Sequence, residues 1–170
     1  MIAGMVLTDS EQQESQLAFL GDETSSHSVL ETEKIVELLK KRQPDVLAVD
    51  CPTEAPNQDW SREEKELKEE GFSFTPSRNQ KKEITRLRAI DTMLKKEGVD
   101  TEIIRFDPHI SAEELALDSD SSLESLGVDT DCLDSSREFD AMLGAVTARF
   151  YQQNQFKDLG VIVPGEFEDE

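Results

Sequence analysis

The chain has 170 residues, the size of one ordinary domain, and 18 Lys+Arg against 38 Asp+Glu give it a formal net charge of -20. About a quarter of the residues are Leu, Ile, Val or Phe, enough to predict a folded core rather than a disordered acidic chain. Such a surface repels phosphate backbones and anionic lipids, which argues against a general nucleic-acid coating protein. Two interpretations of the acidity stay open: halophilic adaptation to a salt-rich cytoplasm, and binding of a specific basic partner.

Cysteine content and hydropathy narrow the class of protein further. Cys51 and Cys132 are too few for a disulfide scaffold or a zinc knuckle. The longest apolar run, Met1–Leu7, is too short to span a membrane, and no positively charged region precedes it as in a signal peptide. We therefore expect a cytoplasmic protein without a membrane partner.

The first elements in chain order are predicted to be strands. Ile2–Leu7 and Gln16–Leu20 flank a polar turn and predict a β-hairpin, with a short third strand near Ser28–Leu30. Glu31–Arg42 has acids in its first turn and bases in its last, an order that favours a helix. The continuous apolar run Val46–Val49 predicts a strand buried on both faces, and hence a parallel or mixed sheet.

The rest of the chain alternates helices with strands. Helices are predicted over Ser61–Glu70, Arg78–Glu97, Ser111–Leu117 and Ser136–Gln153. Strands are predicted over Thr101–Phe106 and Val161–Val163, and an exposed loop over Asp118–Asp134. This order predicts a single α/β domain over 1–165, followed by an acidic tail at 166–170.

Asp50 is the first candidate functional residue. It directly follows the predicted buried strand, which Pro52 prevents from continuing, so it lies at the carboxyl end where open α/β sheets place their chemistry. A carboxylate there needs a metal, hydrogen bonds or a cation to offset its desolvation. Asp50 is therefore a candidate metal ligand, or alternatively an aspartate of a solvated turn.

Asp140 is the second candidate, because it lies on the predicted inward face of the last long helix. That face reads Asp140, Leu143, Gly144, Thr147 and Tyr151. The small residues at 144, 145 and 148 are expected to let the helix approach the sheet closely. An acid on this face suggests a metal ligand facing Asp50; a first-turn acid stabilised by the helix dipole is the alternative.

The segment Arg78–Lys96 departs from the acidic trend. It has seven basic residues against Glu83 and Asp91, a local charge of +5. It is therefore the surface most suited to a phosphate backbone, with an amphipathic helix paired to acidic surroundings as the alternative. The candidate nucleic-acid contacts are Arg78, Lys81, Lys82, Arg86 and Arg88.

Three stretches, in chain order, resemble a mostly prokaryotic family of predicted nucleases with a ribonuclease-H-like fold. Val46–Pro52 is similar to the family's strand ending in Asp-small-Pro. Phe139–Ala148 resembles its last helix, which opens with Asp-Ala, and Gly160–Pro164 resembles its closing Ile-Val-x-Pro strand. The resemblance implies an α/β fold, a ribonuclease-H-like mixed sheet of about five strands flanked by helices.

The resemblance also implies two-metal phosphodiester hydrolysis, in which carboxylates of the first strand, the central strand and the last helix hold Mg²⁺. Asp50 and Asp140 match two of these catalytic and metal-binding positions. Val6 occupies the first position, where the family usually has an aspartate. Arg105 stands where many relatives have glutamate, and Glu64 lies where relatives often have a Cys-Asp pair.

Two functions follow from these matches and departures. One is a ribonuclease-H-like protein with weakened or lost metal-dependent hydrolysis, retained as a binding or interaction module. The alternative is an active Mg²⁺-dependent nuclease that uses Asp50 and Asp140. The partners to consider are nucleic acid, bound through the helix at 78–96, and a second copy of the chain in a homodimer.

Overall fold

A computed structural model describes residues 1–53 and 62–165 of the chain. The predicted acidic tail at 166–170, and Ser61 at the start of the second predicted helix, lie outside the described residues. Within the two described ranges, no helix combines the length and apolar character needed to cross a membrane.

Five strands form a mixed sheet in the spatial order β3-β2-β1-β4-β5. They are β1 (Ile2–Val6), β2 (Ser15–Leu20), β3 (Ser25–Val29), β4 (Val46–Val49) and β5 (Glu102–Arg105). The first three pair antiparallel as a meander, and β4 and β5 extend the sheet in parallel with β1. The mixed five-stranded sheet flanked by helices confirms the predicted fold class.

Helices cover both faces of this sheet. They are α1 (Thr32–Arg42), α2 (Arg62–Glu69), α3 (Lys81–Lys96), α4 (Pro108–Glu114), α5 (Asp120–Glu124) and α6 (Ser136–Gln152). Side chains of β1 alternate between two core clusters: Ile2 packs with α6, while Ala3 and Met5 pack with α1 and α3. Because both faces are buried, the central strands β1 and β4 are almost entirely apolar.

The backbones of β1 and α6 approach each other at two glycines. A Cβ on Gly4 would lie 2.1 Å from the carbonyl oxygen of Ala141 and 2.3 Å from the backbone nitrogen of Ala145. A Cβ on Gly144 would lie 2.7 Å from the ring of Phe106. The predicted close approach of the last helix to the sheet is confirmed, and it requires glycine on both elements.

The last predicted strand does not join the main sheet. Ile162–Pro164 (β7) pairs antiparallel with Phe156–Asp158 (β6) as a separate two-stranded sheet. The two strands are joined by a short turn, so β7 finds its partner in the segment just before it. The strand β7 therefore forms a local hairpin with β6 instead of pairing with a strand of the main sheet, which is further away along the chain.

Two predicted boundaries change because of helix capping. The predicted loop 118–134 contains α5, which begins with a capping box between Ser119 and Ser122 and buries Leu123. The predicted helix over Ser111–Leu117 begins three residues earlier, at Pro108, because Asp107 caps it. In both cases a polar capping residue starts a helix at a position where the pattern of apolar residues does not predict one.

Candidate functional site

A cavity of about 380 Å³ lies where β1, β4 and β5 end. We call it the carboxylate cavity, because Asp50, Asp107 and Asp140 line it together with Val6. Its other lining residues are Thr75, Gln80, Pro108, His109, Ala112, Phe139 and Leu143. The structure therefore brings the two predicted acids, Asp50 and Asp140, to one place.

Asp50 is held at the end of β4 by hydrogen bonds on both its backbone and its side chain. Its Oδ1 accepts the backbone N–H of Leu7 at 3.0 Å, and its carbonyl oxygen accepts from Nε2 of Gln80 at 2.8 Å. Burial raises the pKa of this carboxyl group to about 7, and the negative charges of Asp107 and Glu83 act in the same direction. Burial therefore favours the protonated form of this carboxyl group.

Asp107 is a site residue that the sequence reasoning missed. It follows β5 and caps α4: Oδ1 accepts the N–H groups of His109 at 2.9 Å and Ile110 at 3.3 Å, and Oδ2 accepts the N–H of Thr75 at 3.2 Å. The available signal was an Asp-Pro pair directly after the predicted strand Thr101–Phe106, which the structure pairs in parallel with β4. The carboxyl ends of parallel neighbours meet at the same edge of a sheet.

Asp140 lies near the start of α6 and is half-buried against the cavity. Burial raises the pKa of its carboxyl group, the charge of Asp107 raises it further, and Arg137 opposes the shift. Asp140 also lines a neighbouring cavity with Asp118 and Asp134. This end of α6 therefore concentrates negative charge rather than neutralising it.

Val6 lines the cavity at the end of β1, where the family resemblance implies the first metal-binding carboxylate. The nearest acid further along the chain, Asp9, is exposed in the β1–β2 turn and is not among the residues that line the cavity. A valine side chain has no oxygen to offer Mg²⁺.

The remaining acids do not fit a two-metal centre. Across residues 1–53 and 62–165, no group of three or more His, Cys, Asp or Glu side chains is arranged to hold a metal ion. Asp107 accepts three backbone N–H groups and Asp50 accepts one through Oδ1, so both carboxyl groups also hold the loops around the cavity. A two-metal centre needs several carboxylates facing the same ions.

Arg105 and Glu64 form a buried pair behind the cavity. Nη1 of Arg105 lies 3.9 Å from Oε1 of Glu64, and Nη2 donates to the carbonyl oxygen of Thr75 at 3.3 Å. Glu64 is fully buried, and its Oε2 accepts the N–H of Ser77 at 3.0 Å. The guanidinium group therefore joins β5 to α2 and to the segment before α3, and Arg105 is not among the residues that line the cavity.

The basic residues predicted to contact nucleic acid fall into two groups. Arg78, Lys81, Lys82 and Arg88 are exposed, and the first three flank Gln80, which lines the carboxylate cavity. Arg86 is only 8% exposed and faces the interior. Three exposed basic residues therefore lie next to a cavity residue along the chain, and Arg86 is not one of them.

Arg86 instead joins three segments of the chain by hydrogen bonds. Nη1 donates to the carbonyl oxygens of Thr8 at 3.1 Å and Ser10 at 3.2 Å. Nη2 donates to the carbonyl oxygen of Leu30 at 2.8 Å, and Nε donates to Oγ1 of Thr32 at 3.0 Å. The prediction that Arg86 contacts phosphate is therefore corrected: its guanidinium group holds the β1–β2 turn and the start of α1 against α3.

A three-stranded antiparallel meander extended by two parallel strands, with helices on both faces, is the ribonuclease-H-like fold. The structure is similar to RuvC of Thermus thermophilus in complex with a Holliday junction substrate, with a TM-score of 0.57 at 16% identity over 96% of this chain and 98% of that chain. A second Thermus thermophilus RuvC structure gives a TM-score of 0.52 at 15% identity over the same shares. No protein-family model and no curated protein matches the chain.

Proposed function

We propose that the protein is a ribonuclease-H-like domain that binds nucleic acid and whose metal-dependent phosphodiester hydrolysis is weakened or lost. The observation that carries this proposal is Val6, which lines the carboxylate cavity where the first metal-binding acid is expected. Without that acid, the cavity lacks one of the three carboxylate sources on which two-metal hydrolysis depends.

Nucleic acid is the favoured ligand for two reasons. The RuvC of similar fold is bound to a Holliday junction, a branched nucleic acid. In this chain, Arg78, Lys81 and Lys82 are exposed and lie within two residues of Gln80, which lines the carboxylate cavity. Because the molecule is strongly acidic elsewhere, a phosphate backbone is attracted to this end of α3.

Fluorescence anisotropy with labelled oligonucleotides tests the binding part of the proposal. Single strands, duplexes and a four-way junction are titrated in EDTA, so that binding is measured without metal. We expect binding that weakens steeply with salt, because phosphate contacts release counterions. Absence of binding to every oligonucleotide at low salt would overturn the proposal.

An active Mg²⁺-dependent nuclease is the alternative function. The observation that favours it is that Asp50, Asp107 and Asp140 all line one cavity. If Asp107 supplies the carboxylate that Val6 lacks, the wild-type protein cleaves oligonucleotides with Mg²⁺ or Mn²⁺, and Asp50→Asn abolishes the cleavage. The two functions therefore differ in metal-dependent cleavage and agree on binding.

A further inference from the structure

Three basic residues of α3 lie in a straight row along its exposed side. Lys81, Arg88 and Lys95 are separated by seven residues each, which is close to two helical turns, so their side chains leave the helix in nearly the same direction. All three are exposed. At a rise of about 1.5 Å per residue, neighbouring members are about 10 Å apart and the cationic row is about 21 Å long.

The far end of the cationic row borders a second polar cavity. Arg88 and Lys95 line a cavity of about 420 Å³ between α3 and the edge strand β5, away from the carboxylate cavity. Its remaining lining residues are Thr53, Asp91, Thr92, Thr101 and Ile103. Two cationic side chains above a polar floor rich in threonine suit a phosphate group.

The amino end of the cationic row lies one residue from the lining of the carboxylate cavity. Lys81 directly follows Gln80, whose side chain lines that cavity and donates to the carbonyl oxygen of Asp50. The row therefore begins next to a residue of one cavity and ends in the lining of the other. A linear polyanion that enters the carboxylate cavity meets a cation about every 10 Å as it leaves.

We propose that Lys81, Arg88 and Lys95 bind the phosphodiester backbone of a nucleic acid as it runs from the carboxylate cavity towards β5. This inference rests on the proposed function and adds the path of the ligand. The segment Arg78–Lys96 carries +5, so all other residues together carry -25. This contrast confines a polyanion to the row, because the flanking surface repels it.

Asp91 limits the strength of the cationic row. Its Oδ2 lies 3.0 Å from Nζ of Lys95, and it lines the same cavity as Arg88. Neutralising this acid releases Lys95 for phosphate and removes a repulsive charge. Asp91→Asn is therefore expected to bind nucleic acid several-fold more tightly than the wild type at low salt.

The test compares two triple variants that lose the same charge from different helices. Lys81→Ala/Arg88→Ala/Lys95→Ala removes the cationic row, and Lys34→Ala/Lys40→Ala/Lys41→Ala removes three exposed lysines of α1. Affinity for duplex DNA and for single-stranded RNA is measured by anisotropy over a range of salt concentrations. Loss of three phosphate contacts lowers the slope of log K against log salt by about 2 to 3.

We expect the row variant to bind at least tenfold more weakly than the α1 variant, with the lower slope, and Asp91→Asn to shift affinity in the opposite direction. The ligand that loses more affinity in the row variant, duplex DNA or single-stranded RNA, is the nucleic acid that binds along the cationic row. If the wild type binds and the two triple variants lose affinity and slope equally, the cationic row is overturned while the proposed function stands. If the wild type binds neither nucleic acid, both the cationic row as a binding surface and the proposed function are overturned.

Discussion

Ionisation of Asp50 opposes folding. Its carboxyl group is buried beside Asp107, and these two effects raise its pKa from the ordinary value near 4 to about 7 in the folded protein. The folded state therefore holds a proton that the unfolded state releases between those values. Stability from this group is fully present below about pH 4, falls as the pH rises to 7, and is constant above 7.

Asp50→Asn is expected to remove this pH dependence. Asparagine keeps an oxygen that can accept the N–H of Leu7, and it does not ionise. The variant should be more stable than the wild type at pH 8, by up to about 4 kcal/mol, and close to it at pH 4. Urea unfolding at both pH values measures the difference, with exposed Asp118→Asn as the control. An equal effect of Asp50→Asn at both pH values would contradict the burial of this carboxyl group.

Arg86 and Arg88 are two residues apart on α3, but only the truncation of Arg86 is expected to lower the free energy of unfolding strongly. Arg86→Ala leaves the carbonyl oxygens of Thr8 and Leu30 without their donor and should cost about 2 to 3 kcal/mol in the free energy of unfolding. Arg88→Ala changes an exposed residue and should stay within about 0.5 kcal/mol. Denaturant unfolding of both variants measures the two changes in the free energy of unfolding. Equal losses of stability would contradict the buried role of Arg86.

These residues mark how far the candidate site can be predicted from the sequence. The sequence predicts Asp50 and Asp140, because a strand end and an inward helix face are visible as patterns of apolar residues. It misses Asp107, because an Asp-Pro pair after a strand is equally typical of a helix cap, and this residue is a cap as well as a cavity residue. It misassigns Arg86, because composition cannot distinguish a buried guanidinium from an exposed one.

At the scale of elements, the molecule depends on the approach of α6 to β1. Gly4→Ala would place a methyl group 2.1 Å from the carbonyl oxygen of Ala141, a backbone atom that a rotamer change cannot move. We expect a loss of about 3 kcal/mol or more in the free energy of unfolding. Gly21→Ala is the matched control, since its nearest atom is the side chain of Met1 at 3.4 Å, an ordinary contact. Similar stabilities of the two variants in urea would show that α6 does not lie so close.

The elements that the sequence predicts well are those with long apolar patterns. The strands β1, β2 and β4 and the helix α1 lie within one residue of their predicted bounds, because each has a continuous apolar run or a clear helical face. The helix α3 begins three residues later than predicted, because a separate short turn occupies Ser77–Asn79. The short α5 is missed, because its five residues are mostly polar and only Leu123 is buried. The partner of β7 is also missed, because Phe156–Asp158 has only three residues, two of them exposed and charged, and so has no apolar pattern.

At the scale of the whole molecule, the charge of -20 is a source of self-repulsion. Added salt screens repulsion between exposed acids, so the halophilic interpretation predicts that stability rises with salt. We expect Tm to rise by about 5 °C or more from low salt to molar KCl. Thermal unfolding followed by circular dichroism measures this, with NaCl in parallel to separate screening from an effect of potassium. A Tm that is unchanged or falls would contradict salt adaptation.

The order of predicted elements gives a single α/β domain, because alternating strands and helices must cover both faces of a sheet. The particular sheet of about five strands is implied by the resemblance of three ordered motifs, one of which holds Asp50 and another Asp140. The activity cannot be predicted in the same way. It depends on whether Asp107 substitutes for the acid missing at Val6, which is a matter of side-chain geometry around one cavity.

Metal-dependent cleavage tests the central claim most directly. Wild-type protein and Asp50→Asn are incubated with labelled single strands, duplexes and a four-way junction in Mg²⁺ or Mn²⁺, with Asp118→Asn as a charge-matched control and EDTA as the blank. We predict that the wild type binds these oligonucleotides and cleaves them slowly, with less than about one turnover per hour, or not at all. Rapid multiple-turnover cleavage by the wild type and Asp118→Asn that Asp50→Asn and EDTA abolish would contradict weakened or lost hydrolysis and establish an active nuclease.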